Sequence, residues 1–184
     1  MVTSNTVTIM VEAPFSATMS SSTYTDIQVP AFSGVGATPN GSIAWAVFLQ
    51  SNEILSGSVT ADSSGNFSGN IGKTLQPNSY SIVLTDTTTG HAATLSFTVT
   101  YSAVKTISLQ ASATTVTVGS TVTLSGGVFD GAGLGDPNIT VYLFINGSQA
   151  SSTTTNANGA YSFSVTFNTS GSYNCDVAST TTNT

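Results

Sequence analysis

The sequence has few charged residues, and most of them are negative. Of its 184 residues 5% are charged, and two Lys or Arg stand against eight Asp or Glu, which gives a formal net charge of −6. A soluble domain ordinarily carries about 25% charged residues. Because nothing in the chain forms a basic stripe that would neutralise phosphates, we expect no nucleic-acid partner.

The side chains that carry most enzyme chemistry are also scarce. The single cysteine, Cys175, excludes an internal disulfide, and the single histidine, His91, lies in a turn rich in Thr and Gly. Asp130 and Asp136 flank a Gly-rich segment, which we interpret as a plain surface loop because two carboxylates supply too few oxygens for calcium. No acids are paired at a short, motif-like spacing. We therefore predict that the chain is not an enzyme and binds no metal or cofactor apart from covalent N-glycans.

Long apolar runs are missing as well. No stretch approaches the roughly 18 apolar residues of a membrane span, and the first residues have neither the basic nor the apolar region of a signal peptide. We expect an extracellular protein that was secreted and has lost its signal peptide. The scarcity of charge also fits an acidic medium, where protonated carboxylates would leave many Lys and Arg unbalanced.

What the sequence does contain is a weak internal repeat. The segment that runs from Asp62 to Ser68 recurs from Asn156 to Ser162, and the segment around Tyr80 recurs around Tyr173, in both cases about 93 or 94 residues later. A repeat of this length indicates tandem domains. We expect both copies of the first segment to be hairpin turns that enter a strand.

Apolar and polar residues alternate in short runs. Residues 42–49 place Trp45, Val47 and Leu49 on one face, and residues 138–145 do the same with Val141 and Leu143. No stretch has the spacing of a helix. Residues 25–29 and 121–124 are read as one further short strand in each copy. Several short strands separated by turns are typical of an all-β sandwich.

The repeated tyrosines refine this prediction. Tyr80 and Tyr173 each stand two residues before an inward-facing apolar position, Ile82 and Cys175. This arrangement resembles the tyrosine corner of immunoglobulin-like domains, in which the hydroxyl bonds back to the preceding backbone. The alternative is an ordinary strand aromatic. The fold class predicted is all-β, with two tandem immunoglobulin-like β-sandwich domains.

The second copy ends one strand early. In the first copy Leu95, Phe97 and Val99 form a last strand, whereas residues 179–184 of the second copy are polar and offer no counterpart. An open groove with an unpaired strand edge would result. We predict a tail at 1–12, a first domain at 13–102 and an incomplete acceptor domain at 103–184. The groove is predicted to be lined by Val141, Leu143, Tyr173, Cys175 and Val177.

The N-terminus offers a strand that could fill this groove. Val7, Ile9 and Val11 alternate with polar or flexible residues, and residues 15–22 could act as a tether, so that the strand adds to a neighbour's sheet. A contact between opposite ends of two chains does not close on itself and produces a fibre. Two alternatives remain open. Residues 7–11 could be the first strand of their own domain, or the true last strand could lie beyond this sequence.

Five N-glycosylation motifs lie in or beside predicted turns. A glycan coat would supply the solubility that surface charge usually provides. The acceptor residues predicted are Asn40, Asn66, Asn138, Asn146 and Asn168.

Taken together, the two sandwiches, the alternating tail, the missing strand, the glycosylation motifs and the low charge resemble the thread filament subunits of thermoacidophilic archaea. That family is similar to bacterial type I pilins in its head-to-tail joining by donor-strand complementation. The resemblance implies a glycosylated surface filament with Val7, Ile9 and Val11 as donor positions. Its partners would be identical subunits in a helical homopolymer, together with cell surfaces or neighbouring filaments. The alternative is a surface adhesin or virion decoration protein that binds through outward aromatics such as Phe48, Tyr142 and Phe144.

Overall fold

The structure is a computed structural model that describes residues 13–181. The chain divides into two compact units between Thr100 and Tyr101, close to the boundary expected at residue 102. The regular elements of the described residues are all β-strands, which confirms the all-β prediction. Within residues 13–181, no helix has the length and apolar character needed to cross a bilayer.

Within residues 13–100, unit 1 contains eight strands in two sheets. Their bounds are β1 (Ser16–Met19), β2 (Thr23–Thr25), β3 (Ala31–Val35), β4 (Ser42–Leu49), β5 (Asn52–Thr60), β6 (Phe67–Asn70), β7 (Asn78–Asp86) and β8 (Ala92–Thr100). One sheet has the order β1-β3-β6 and the other the order β2-β8-β7-β4-β5. The last strand, β8, thus lies between β7, to which it is antiparallel, and β2, to which it is parallel.

The core of unit 1 follows the alternation read from the sequence. Trp45 and Val47 of β4 are buried, while Ala46 between them faces outward and is only half-buried. The last strand contributes Phe97 and Val99, each 2% exposed, so β8 closes this core rather than merely extending a sheet edge. Burial of a large apolar side chain stabilises a fold by about 1.5–3 kcal/mol.

Two expectations about the start of unit 1 were wrong. Residues 15–22, expected to be a tether, include β1, which pairs antiparallel with β3 from Ser16 to Met19. The run from Thr25 to Val29, read as a strand, is mostly a turn that leaves Ile27 56% exposed. Alternating residues resemble a strand, but the amide oxygen of Gln28 accepts a hydrogen bond from the backbone of Thr25 and closes the turn instead.

Within residues 101–181, unit 2 contains seven strands in two sheets. Their bounds are β9 (Val104–Ile107), β10 (Gln110–Ala111), β11 (Thr121–Asp130), β12 (Thr140–Ile145), β13 (Ser148–Thr154), β14 (Ala160–Thr166) and β15 (Cys175–Ser179). In one sheet β11 pairs with β9, β10 and β14. The other sheet has the order β13-β12-β15, so β15 is an edge strand.

The repeated turns are alike in detail. The Asp62 carboxylate accepts hydrogen bonds from the backbone of Ser64 and Asn66 at 2.8 and 2.9 Å. In unit 2, the side-chain oxygen of Asn156 accepts from Asn158 and Ala160 at 2.9 and 3.1 Å. Each turn leads into a strand, as the repeat predicted.

Candidate functional site

The candidate site is an edge of unit 2. It corresponds to the position that the last strand, β8, takes in unit 1. In unit 1, β7 pairs with β4 on one side and with β8 on the other. In unit 2, β15 pairs with β12, and within residues 13–181 no strand pairs with its other side. Among the described residues, which end at 181, unit 2 therefore has no strand in the place that β8 takes in unit 1.

Unpaired backbone groups line this edge of β15. The carbonyl of Asn174 accepts a hydrogen bond from Asn146, and the N–H of Thr180 donates to Thr140, so the even-numbered residues of β15 face β12. Since alternate residues of an antiparallel strand bond to opposite sides, the N–H and C=O groups of Cys175, Val177 and Ser179 face the open edge. Such an edge is a template for another strand.

The open edge leaves strand side chains only half-buried. In unit 1, Ile82 and Leu84 of β7 are 0% exposed. Their sequence counterparts in β15, Cys175 and Val177, are only partly buried against the core of unit 2. Ile82 and Leu84 have β8 beside them, whereas within residues 13–181 no strand lies beside Cys175 and Val177 on that side of β15.

The register of β15 also differs from that of its counterpart. In unit 1, Val47 lies opposite Ile82. The internal repeat matches these two residues with Leu143 and Cys175, which would therefore be expected to lie opposite each other in unit 2. In unit 2, however, Cys175 lies opposite Ile145. A shift by two residues keeps every side chain on its face, because side chains alternate with a period of two. It also places Tyr173 ahead of the start of β15.

A groove of about 590 Å³ lies beside this edge. Of the predicted lining residues, Tyr173 and Cys175 contribute to its wall, whereas Val141 and Leu143 are 0% exposed and lie in the core. Val177 is half-buried and does not line it.

The sequence analysis missed the opposite wall, which is formed by residues 113–118 together with Val122 and Leu124. Val116 and Val118 are 40% and 59% exposed, although Val is usually buried. Their spacing of two residues, just before β11, is the signal that could have revealed this wall.

The tyrosine corners are present in both units. The Tyr80 hydroxyl donates to the Gln76 carbonyl at 2.7 Å, and the Tyr173 hydroxyl donates to the Thr169 carbonyl at 3.1 Å. This confirms the resemblance to the corner of immunoglobulin-like domains.

The ring that covers each tyrosine is different. Tyr80 stacks on Phe97 of β8, with centroids 5.6 Å apart. Tyr173 instead packs against Phe167, with centroids 4.4 Å apart. Phe167 follows β14, so among the described residues the ring that covers Tyr173 comes from a different element than in unit 1.

The groove contains the single thiol of the chain. Cys175 is half-buried in the wall. Burial raises the pKa of its thiol, and the adjacent Asp176 raises it further, which disfavours the reactive thiolate.

All five predicted glycosylation residues are exposed. The Asn146 side chain accepts a hydrogen bond from Asn174 through its oxygen, which leaves the nitrogen that would carry a sugar out of that contact. The Asn66 side-chain nitrogen, by contrast, donates to Asp62 at 3.0 Å.

Asn168 stands at the groove, between Phe167 and Thr169 of its wall. The donor residues Val7, Ile9 and Val11 lie outside the described residues.

The carboxylates form a second feature. Asp130 and Asp136 are 2% and 1% exposed, so the expectation of a plain surface loop was wrong for these side chains. The Asp130 carboxylate accepts hydrogen bonds from the backbone of Ala132 and Leu134, which holds the loop. Within residues 13–181, no three His, Cys, Asp or Glu side chains come together as metal ligands.

The carboxyl group of Asp86, at the end of β7, has a lowered pKa. Its burial favours the protonated form, but hydrogen bonds from the backbone and hydroxyl of Thr38 and from the backbone of Thr88 outweigh this effect. Together they lower the pKa to about 2.

Comparison with known proteins gives structural similarity only. No protein-family model matches the chain, and no curated protein matches its sequence. Invasin, a bacterial integrin-binding protein, matches with a TM-score of 0.53 and 14% identity over 93% of this chain and 39% of its own. This similarity supports the β-sandwich fold.

Two further adhesins match with a TM-score of 0.46 each. The tandem repeats of a large adhesion protein are 19% identical, over 92% of this chain and 49% of theirs. The adhesin InvE of Yersinia pseudotuberculosis is 13% identical, over 93% of this chain and 60% of its own. The chain spans less than two thirds of each of these structures.

Proposed function

We propose that the chain is a structural subunit of an extracellular surface filament that polymerises head to tail by donor-strand complementation. The observation that carries this proposal is the groove beside β15, whose edge exposes backbone groups of Cys175, Val177 and Ser179. Residues 7–11 of a neighbouring copy supply the strand that fills it.

The start of unit 1 supports this role for the tail. One alternative assigned residues 7–11 to the first strand of their own domain. That position is occupied by β1, which pairs with β3, and by β2, which pairs with β8. Among residues 13–100, β1 and β2 fill the first two strand positions of unit 1, which supports the assignment of residues 7–11 to a neighbouring copy.

The alternation of the tail matches what such a groove requires. Main-chain hydrogen bonds bind an added strand, and its alternate side chains enter the pockets beneath. Val7, Ile9 and Val11 are β-branched, which favours the extended conformation. N-glycans on the exposed Asn residues replace the missing surface charge.

Deletion of residues 1–12 tests the proposal. We expect negative-stain electron microscopy to show filaments for the full chain and single particles for the truncated chain. Both proteins should melt at the same temperature in monomer form, because every described strand is retained. Filaments formed by the truncated chain would contradict the proposal.

A matched pair of variants separates sequence-specific insertion from a general effect of the tail. Val7, Ile9 and Val11 changed together to Thr should abolish polymerisation, since each apolar side chain contributes about 1.5–3 kcal/mol when buried. Thr6 and Thr8 changed to Ala lie on the opposite face of the strand and should leave polymerisation intact.

A surface adhesin or virion decoration protein is the second candidate. Outward-facing Phe48 on β4 and Tyr142 and Phe144 on β12 are half-buried, and they give each unit an aromatic surface. Electron microscopy of native material distinguishes the two, because an adhesin or decoration protein would appear on cells or virions without a homopolymer.

A further inference from the structure

The groove has two walls, and the second wall has unpaired backbone as well. Residues 113–118 have no assigned strand, and within residues 13–181 none of their backbone N–H groups donates a hydrogen bond to another backbone group. The segment is anchored at both ends. Ser112 donates to Thr123, and Gly119 donates to Phe167.

Unit 1 shows what occupies the corresponding place. There β2 precedes β3 in the chain, as residues 113–118 precede β11 in unit 2. β2 pairs in parallel with β8, from Thr23 opposite Thr98 to Thr25 opposite Thr100. The last strand of a complete unit is therefore bound along both edges.

The side chains of the second wall are suited to the same contact. Val116 and Val118 are two residues apart and therefore share one face of an extended segment. Both are among the exposed large apolar residues of the described chain, and the segment that carries them lines the groove. Exposed apolar surface concentrated at one site marks an interaction surface.

We propose that residues 115–118 become a strand when the groove is filled, and that they pair in parallel with the incoming strand while β15 pairs with its other edge. This inference rests on the proposed function. It makes Val116 and Val118 binding residues of the acceptor, and the required partner is an extended apolar strand with two free edges rather than a small molecule.

Hydrogen exchange of the full chain tests the proposal directly. Backbone amides of residues 115–118 should exchange at least about tenfold more slowly in polymers than in monomers, because pairing protects them from water. Amides of the exposed turn at Thr88 and Thr89 in unit 1 serve as the reference and should not change.

A double variant gives a second readout. Val116→Thr with Val118→Thr preserves the β-branched shape, and the monomer should keep its melting temperature because both side chains are already exposed. We expect the critical concentration for polymerisation to rise about tenfold. The matched control is Ile54→Thr, which changes a residue that is 43% exposed in unit 1 and should have no effect.

The outcomes separate the two proposals. Wild-type polymers in which residues 115–118 exchange as fast as in monomers, or a double variant that polymerises like the wild type, would overturn the two-edged binding and leave the filament proposal standing. Failure of the wild-type chain to polymerise at all would overturn both.

Discussion

The two units differ most at the penultimate strand of the sandwich. In unit 1, Ile82 and Leu84 of β7 are fully buried because β8 covers them. In unit 2, Cys175 and Val177 of β15 remain half-buried beside a groove. The same kind of strand is thus a core element in one unit and an unfinished edge in the other. With no strand beside β15 within residues 13–181, its side chains line a groove, although both units have the same kind of fold.

The largest expected effect comes from shortening one side chain of this strand in each unit. Leu84→Ala should destabilise unit 1 by about 2–5 kcal/mol, because it leaves a cavity in a closed core. Val177→Ala should destabilise unit 2 by only about 1 kcal/mol, because part of the side chain is already exposed to water. Hydrogen exchange measured separately for each unit gives both losses of unfolding free energy. Equal losses in the two units would contradict the expected difference.

A smaller effect is expected from Asp86, which ends β7. Its pKa in the folded chain is about 2, below its ordinary value of 3.8, so its contribution to stability is complete above about pH 4 and is lost as the pH falls towards 2. Asp86→Asn should destabilise unit 1 by about 2 kcal/mol at neutral pH, since hydrogen bonds to a charged group are lost. Urea unfolding from pH 7 to pH 2 should show the two proteins converging, and a constant gap across that range would be the contrary result.

The smallest effect concerns the two tyrosine corners. Tyr80→Phe leaves the Gln76 carbonyl without its hydroxyl donor beside a buried ring and should cost about 1 kcal/mol. Tyr173→Phe should cost only a few tenths of a kcal/mol, because this hydroxyl is exposed to water, which replaces the lost bond. Thermal melts of the two variants check the difference, and a larger loss for Tyr173→Phe would contradict it.

Much of the fold could be predicted because local patterns and the repeat agree. Alternation correctly placed Trp45 and Val47 inside. The run after Thr25 misled because alternation also occurs in turns. The two-residue register shift of β15 was not predictable, since both registers bury the same face of the strand.

The groove itself was only partly predictable from sequence. Residues on β15 follow from the missing strand, but the second wall depends on how residues 113–118 pass over the sandwich. Val141 and Leu143 were assigned to the groove because they face inward, yet inward positions on a central strand lie under other side chains. The sequence pattern predicts on which face of a strand a side chain lies, but not how deeply that side chain is buried.

The position of β8 between β7 and β2 also has a mechanical consequence. Hydrogen bonds of the antiparallel ladder with β7 and of the parallel ladder with β2 both run across the strands, so a pull along the strand axis loads all of them together instead of opening them one by one. A strand inserted between β15 and residues 115–118 would be loaded in this way along both edges. Tension along a filament would then act on its subunit joints in shear, the direction in which paired strands resist separation most strongly.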